Sequence, residues 1–440
     1  MRLRGALALL LLLCIHGGNQ GANAGGDGFV RVRGTHFVLN GNPFFANGFN
    51  AYWLMSLGAD PAQRGKVTSA MSQAAGAGLT VARTWAFSDG GGSNALQYSP
   101  GRYNENTFQG LDFVLSEARK HGIKMILSLV NSYDSFGGRK QYVQWAREQG
   151  QSIGSDDEFF TNPVVKGFYK NHIKAVLTRV NTVTGVAYKD DPTIMAWELM
   201  NEPRCQSDLS GRTLQSWIAE MAAHVKSVDG AHLLEAGLEG FYGAGPRAAA
   251  VNPSGYQLGT DFVANNRAPG IDFATVHAYP DQWLPALDAA SQLRFLGGWL
   301  DAHIADARAA LGKPLVVAEF GSGARQRDEV FGVVYGRVYE SARAGGPAAG
   351  ALFWQLMAEG MDSYGDGYEV VLGQAPSTAG VIATQSRRLQ GLVRAGRPRA
   401  RAPMAAIEKV LRQGQGERER ERVWFEGSSG SEVATSSSVS

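Results

Sequence analysis

Cysteine is nearly missing from this 440-residue chain: only Cys14 and Cys205 occur. No internal disulfide framework is therefore available. That excludes the small cross-linked secreted scaffolds and requires a large hydrophobic core instead. A surplus of either charge is missing too, with 42 Lys and Arg against 40 Asp and Glu, a net +2. This balance gives no footprint for a nucleic-acid or membrane-surface partner and suits a neutral polymer or a small molecule. No apolar run is long enough to span a bilayer. The apolar run Ala6–Ile15 follows Arg2 and Arg4 and precedes the small-x-small signal Ala22-Asn23-Ala24. It reads as a secretory leader over residues 1–24. Asn-x-Ser/Thr sequons are absent, because Asn252-Pro253-Ser254 is excluded by its proline. His-x-His, His-Glu-x-x-His and clustered cysteines are absent, which argues against a catalytic zinc site; no metal and no cofactor are expected. A P-loop and a Gly-x-Ser-x-Gly elbow are also missing, and Gly240–Gly245 lacks a phosphate-binding context.

What is present is a core. Hydrophobic residues make up 44% of the chain, and nine Trp are more than packing alone requires. Indole faces stack on flat apolar surfaces, including those of sugar rings. Eight short apolar, β-rich runs recur: 44–52, 80–86, 124–130, 194–202, 232–238, 272–279, 315–320 and 351–357. Most are continuously apolar, as strands buried on both faces must be. Segments of helical period lie between them. Asn106–His121 carries Phe108, Leu111, Val114, Leu115 and Ala118 on one stripe and stops at Gly122. The stretches 61–78, 161–180, 213–228, 292–311 and 328–344 behave alike. Strand and helix alternating eight times predict an α/β fold, a (β/α)₈ TIM barrel over residues 25–394. A doubly wound sheet is the alternative, but Phe49-Asn50-Ala51-Tyr52 stands where its Gly-rich turn would be. Residues 395–440, rich in Arg and Pro, then charge-alternating, then Ser- and Gly-rich, read as a disordered tail. The connection 131–160 reads as a rim loop forming one wall of a substrate cleft.

Two glutamates end such strands. Glu202 closes the fourth run, before the strand-breaking Pro203, and Glu319 closes the seventh. In a barrel both emerge at the C-terminal mouth, facing each other across the ring. Paired carboxylates are what cleavage of an acetal needs: one protonates the leaving oxygen, the other attacks the anomeric carbon. Arg83 and Trp85 end the second run, and His277 and Tyr279 end the sixth. Trp354, on the eighth, can floor a sugar subsite. Arg83 would keep a neighbouring carboxylate ionised. Glu198 reads as a buried partner for such a cation.

At Asn201-Glu202-Pro203 and Ala318-Glu319-Phe320-Gly321 the chain resembles glycoside hydrolase family five of clan A. More narrowly it is similar to the plant endo-β-1,4-mannanases. Arg83-Thr84-Trp85-Ala86-Phe87, His277-Ala278-Tyr279-Pro280-Asp281-Gln282-Trp283 and Phe353-Trp354-Gln355-Leu356 carry the likeness. The resemblance implies a retaining mechanism, with Glu202 as acid/base and Glu319 as nucleophile. It also implies that Asn201 holds the sugar near its 2-hydroxyl, that Tyr279 hydrogen-bonds the nucleophile, and that Arg83, Trp85, His277 and Trp354 complete the central subsites. The expectation is a secreted, monomeric enzyme acting on mannan-type polysaccharides, with transglycosylation as a further outcome. A β-1,4-glucanase and a catalytically silent mannan-binding barrel are the alternatives.

Overall fold

The computed structural model describes residues 27–92 and 94–396. The leader and all but the first two residues of the expected tail lie outside them. The chain opens with β1 (Val30–Arg33), β2 (His36–Leu39) and β3 (Asn42–Phe44), a small antiparallel sheet. Eight strands then run parallel: β4 (Ala46–Asn50), β5 (Val81–Trp85), β8 (Lys124–Ser128), β9 (Ile194–Glu198), β10 (Leu233–Glu235), β11 (Ala274–Ala278), β12 (Leu315–Phe320) and β13 (Ala348–Phe353). Between the second and third of these, β6 (Gln97–Ser99) and β7 (Arg102–Tyr103) form a rim hairpin.

The hydrogen-bonded order runs β10-β9-β8-β5-β4-β13-β12-β11. The remaining seam, between β10 and β11, is bridged by bonds that each join a residue within one strand to one just beyond the end of the other. Asp272 N donates to Leu234 O and His277 N donates to Glu239 O, each at 2.8 Å, while Leu234 N donates to the Asp272 carboxylate at 2.8 Å. The ring is thereby closed as a (β/α)₈ TIM barrel.

Two apolar clusters follow from the pleat. Val81, Ile126, Ala196, Val316, Ala318 and Leu352 fill the ring interior, and Phe37 of β2 packs edge-on against Phe273 at 5.2 Å. The opposite strand faces join the helix stripes in the larger cluster. The helix Glu105–His121 shows why: its whole expected stripe is buried, Asn104 caps its start and Gly122 its end.

The eight barrel strands were expected, but the N-terminal sheet and the hairpin were not. Their runs are only two to four residues long, too short to carry a period. The connection 131–160 is not simply a loop. It contains a helix, Gly138–Glu148, whose Tyr142 and Trp145 are buried in the core. Among the described residues no helix is long and apolar enough to cross a membrane.

Candidate active site

Glu202 does not end its strand, as the sequence suggested. Strand β9 stops at Glu198, and the stretch 199–202 keeps backbone bonds to the neighbouring strand ends. Leu199 N donates to Glu235 O at 3.0 Å, Asn201 N to Val130 O at 2.8 Å, and Glu202 N to Gly237 O at 3.0 Å. The neighbouring strand can press this close because residue 237 is glycine: φ is +83°, and a Cβ there would stand 1.6 Å from Met200 O. Glu202 itself has φ of 51°, a left-handed conformation costing about 1–3 kcal/mol in a non-glycine residue. The surrounding ladder holds it there.

Glu319 reaches the same place by a different device. Val316 and Ala318 point into the ring, so strict alternation would turn Glu319 outward. The register between β12 and β13 shifts between Val317 and Phe320, and that between β11 and β12 shifts between Val276 and His277. Such bulges reverse the facing of the residues beyond them. Glu319 consequently turns inward to meet Arg83.

Arg83 is fully buried and uses all five of its N–H donors. Nε and Nη2 grip Glu198 at 2.5 and 2.7 Å. Nη1 donates to Asn50 Oδ1 at 2.9 Å and to Glu319 Oε1 at 2.5 Å. Nη2 also donates to Asn201 Oδ1 at 2.7 Å. The Asn201 amide in turn donates to Asn131 Oδ1 at 3.0 Å. Beneath this layer Glu235 is pushed well above the ordinary carboxylate range, first by burial and then by the charge of Glu198. Glu198 is also opposed by burial, yet the Arg83 charge and hydrogen bonds hold it at about 2.

Above this layer, Tyr279 Oη donates to Glu319 Oε2 at 2.7 Å. His277 Nδ1 lies 2.6 Å from Glu202 Oε1 and 3.6 Å from Glu319 Oε2. One oxygen of each carboxylate and a ring nitrogen of His277 fall within 4.8 Å of one another. Three such ligands could hold a cation, but the Arg83 guanidinium already occupies one side of Glu319 and would oppose it. Burial raises Glu319, and the Glu202 charge adds to this; His277 and Arg83 pull the other way, leaving it above the ordinary value. Burial also raises Glu202, but the hydrogen bond and charge of His277, with Arg204 and Tyr133, bring it below the ordinary value. His277 is lowered by burial and raised more by the two glutamates, so it ends above the usual imidazole range. His277 Nδ1 and Glu202 Oε1 thus share one short hydrogen bond. Arg83 can only donate, which fixes Glu319 as an acceptor.

These groups floor a cavity of about 450 Å³. Trp85, Tyr52 and Trp354 line one side, where Tyr52 stacks on Trp354 at 6.0 Å and 15°. Tyr133, Arg204 and Glu239 line the other, beside Glu202. The Arg204 guanidinium grips Glu239 at 2.7 and 2.6 Å. Burial and the Glu202 charge nevertheless push Glu239 up to about 7. All eight site residues named from the sequence lie in or directly beneath this cavity. Trp354 sits one residue past β13 rather than on it. Sequence reasoning missed Glu239, Tyr133 and Tyr52. Glu239 had a signal: it follows an apolar run directly, as Glu319 nearly does.

Residues 27–366 match the family described as GH family 5 beta-mannosidase-like. A rice (Oryza sativa subsp. japonica) mannan endo-1,4-beta-mannosidase 1 is 72% identical over 412 residues, covering 90% of this chain and 95% of that protein. Mannan endo-1,4-beta-mannosidase 7 of Arabidopsis thaliana is 61% identical, covering 89% and 91%. Among solved structures, the Rhizomucor miehei endo-1,4-beta-mannanase aligns with a TM-score of 0.71 at 30% identity, covering 82% of this chain and 99% of that one. The Thermotoga petrophila endo-beta-1,4-mannanase aligns at 0.70 and 30%, covering 82% and 79%.

Proposed function

The chain belongs to the β-mannosidase-like branch of glycoside hydrolase family 5, and we propose how its residues divide the reaction of that family. The activity is endo-hydrolysis of β-1,4-mannosidic linkages. The observation that carries the division of roles is the partnering of the two carboxylates. Glu319 is held by donors as an acceptor and attacks the anomeric carbon. The bond from that carbon to the leaving oxygen breaks, and the oxygen takes the proton of Glu202, whose Oε1 lies 2.6 Å from His277 Nδ1. A covalent mannosyl ester on Glu319 results. Water then attacks the anomeric carbon of the ester, Glu202 accepts the water proton, and Glu319 departs as carboxylate with net retention. Retaining enzymes bring the two carboxyls about 5–5.5 Å apart, inverting ones about 6.5–9.5 Å; nearest oxygens within 4.8 Å favour retention. A sugar hydroxyl in place of water gives transglycosylation by the same second step.

Trp354 and Trp85 form the sugar platform and Asn201 faces the ring substituents, while Arg83, buried beneath the cavity, completes the subsite by holding Asn201 and Glu319. The mannan-type chain is the substrate, and residues 1–24 direct export to the cell wall. The test is product release from galactomannan and from a soluble cellulose. Release from mannan alone, with the β-anomer formed first by NMR, is expected. Equal release from cellulose would favour a glucanase, and binding without release would favour a silent barrel.

The wall formed by residues 131–138 gives a further expectation. Deleting the whole connection would remove buried Tyr142 and Trp145, so a point change is the cleaner probe. Phe136 is 41% exposed, has φ of 61° and meets the Tyr52 ring at 5.6 Å. It extends the aromatic row from Trp354 by one further ring. Phe136→Ala is expected to lower kcat/KM on long manno-oligosaccharides about 5- to 10-fold, the worth of one ring contact, and to leave trimers unaffected. Equal loss at every chain length would contradict this placement.

A further inference from the structure

Three strand ends meet at Gly321, two residues beyond Glu319. A Cβ there would stand 2.9 Å from Tyr368 Cδ1, 3.0 Å from Trp354 O and 3.4 Å from Tyr279 Cε1. Glycine lets Tyr368, from the segment after β13, close on Tyr279. The two rings meet edge-on, 5.7 Å apart at 88°. The Tyr368 hydroxyl donates to Asp281 Oδ2 at 3.0 Å, in the short helix Pro280–Trp283 that follows Tyr279 directly. Ser322 Oγ donates to the same oxygen at 3.4 Å.

The segment carrying Tyr368 is itself fastened. Glu369 Oε2 accepts from Asp366 N at 3.0 Å and Gly367 N at 2.7 Å. Asp366 Oδ1 accepts from Tyr368 N at 3.0 Å, and Oδ2 accepts from Trp354 Nε1 at 2.5 Å. Tyr368 is thus anchored at its backbone to the Trp354 side and at its hydroxyl to the Tyr279 side.

We propose that Tyr368 is a positioning residue for the nucleophile, holding the Tyr279 ring so that its hydroxyl stays on Glu319 Oε2. The inference rests on Glu319 being the nucleophile. Glu319 is faced by Arg83 from β5, Glu202 beyond β9, and His277 and Tyr279 at the end of β11. Of these, Tyr368 acts on Tyr279 alone. A carboxylate that loses a hydrogen-bond donor binds its proton more tightly, so its ionisation moves to higher pH.

The experiment is a double-mutant cycle on the full chain: wild type, Tyr368→Ala, Tyr279→Phe and the pair, with Tyr368→Phe alongside. The readouts are kcat and KM on a manno-oligosaccharide across the acid limb of the pH profile. Tyr368→Ala is expected to move that limb upward by about half a pH unit and to lower kcat about fivefold, with KM changed less than about twofold. Tyr368→Phe keeps the ring edge and should show a smaller shift in the same direction. In the Tyr279→Phe background, removing Tyr368 should change kcat by less than about twofold, because the contact it serves is gone. An unmoved acid limb in folded Tyr368→Ala, or the same fold-loss with and without Tyr279, overturns the proposal. Should Tyr368→Ala fail to fold by circular dichroism, Asp281→Ala, which removes the hydroxyl anchor, replaces it in the cycle under the same criteria. If Tyr279→Phe itself leaves the acid limb in place, the Tyr279 hydrogen bond does not set the ionisation of Glu319 and this inference fails, while a failure of the nucleophile reading shows separately as release of a phenol leaving group from a mannoside by Glu319→Gln. If Tyr279→Phe moves the limb and Tyr368→Ala does not, only the inference fails.

Discussion

Glu319→Gln is expected to bind mannan and leave it uncut, with kcat lowered by about 10⁴-fold or more, because no covalent intermediate can form. The substituted amide keeps the volume of the side chain and an oxygen for the Arg83 donor, so the fold and the cavity should survive. Glu202→Gln should also lose activity, by about 10²–10⁴-fold for a general acid/base, and the two variants should separate by leaving group. A mannoside with an acidic phenol as leaving group needs no proton. Glu202→Gln should release that phenol in a rapid burst and then stall at the ester, which now lacks its base. Glu319→Gln should release none. The reverse pattern would exchange the two roles. Equal inactivity of wild type and both variants, with mannan still bound, would return the barrel to the silent-binding reading.

Arg83→Ala should be the most damaging change to the fold as well as to the chemistry. Its guanidinium is the counter-charge of Glu198, fully buried, and of Glu319, which is 6% exposed. Removing one partner from a buried ion pair costs about 3–5 kcal/mol, because the other charge is left unpaired. The pH dependence follows from the sign of the shift. Glu198 lies below its unfolded value, at about 2. In the wild type its ionised form therefore stabilises the fold above the unfolded glutamate range, and that contribution is lost as pH falls toward 2. Without Arg83, burial, the largest influence, is opposed only by hydrogen bonds from Glu235 and Ser128, and Glu198 should rise above its unfolded value. The variant should then be most destabilised at neutral pH and recover relative to wild type below about pH 5, where protonated Glu198 is tolerated. Arg83→Lys should recover part of the stability but little activity, since one ammonium cannot serve Glu198, Asn50, Asn201 and Glu319 together. A thermal-unfolding series over pH for the three proteins measures this. A uniform deficit at every pH would show that packing rather than charge dominates.

The barrel was legible because each of its strands is buried on both faces and reads as an apolar run, and because helices such as Glu105–His121 carry an unbroken stripe between clear caps. Glu202 and Glu319 were legible because carboxylates are conspicuous at the ends of such runs. How each is aimed was not. The left-handed backbone at Glu202 and the register shift before Phe320 depend on neighbouring strands, and neither has a local signature. Tyr133 and Tyr368 stayed hidden for a related reason: each comes from an irregular segment without a period, and what Tyr368 meets, Tyr279 and Asp281, is far away in sequence. The connection 131–160 was read as a loop because Phe136-Gly137-Gly138 breaks any pattern there, although those glycines lead straight into the helix Gly138–Glu148.

The seam between β10 and β11 also bears on how the molecule breathes. Strand β10 has three residues, and its pairing on the β11 side runs through Asp272 and His277. Segments held by few backbone bonds open first in native-state fluctuations. Glu202 stands on one side of that seam and His277, its hydrogen-bond partner, on the other. The amides of Asp272 and His277 should consequently exchange with solvent deuterium in step with loss of the proton donor. Exchange at these two positions is then a direct clock for how long the barrel remains competent on heating, well before the helices around it unfold.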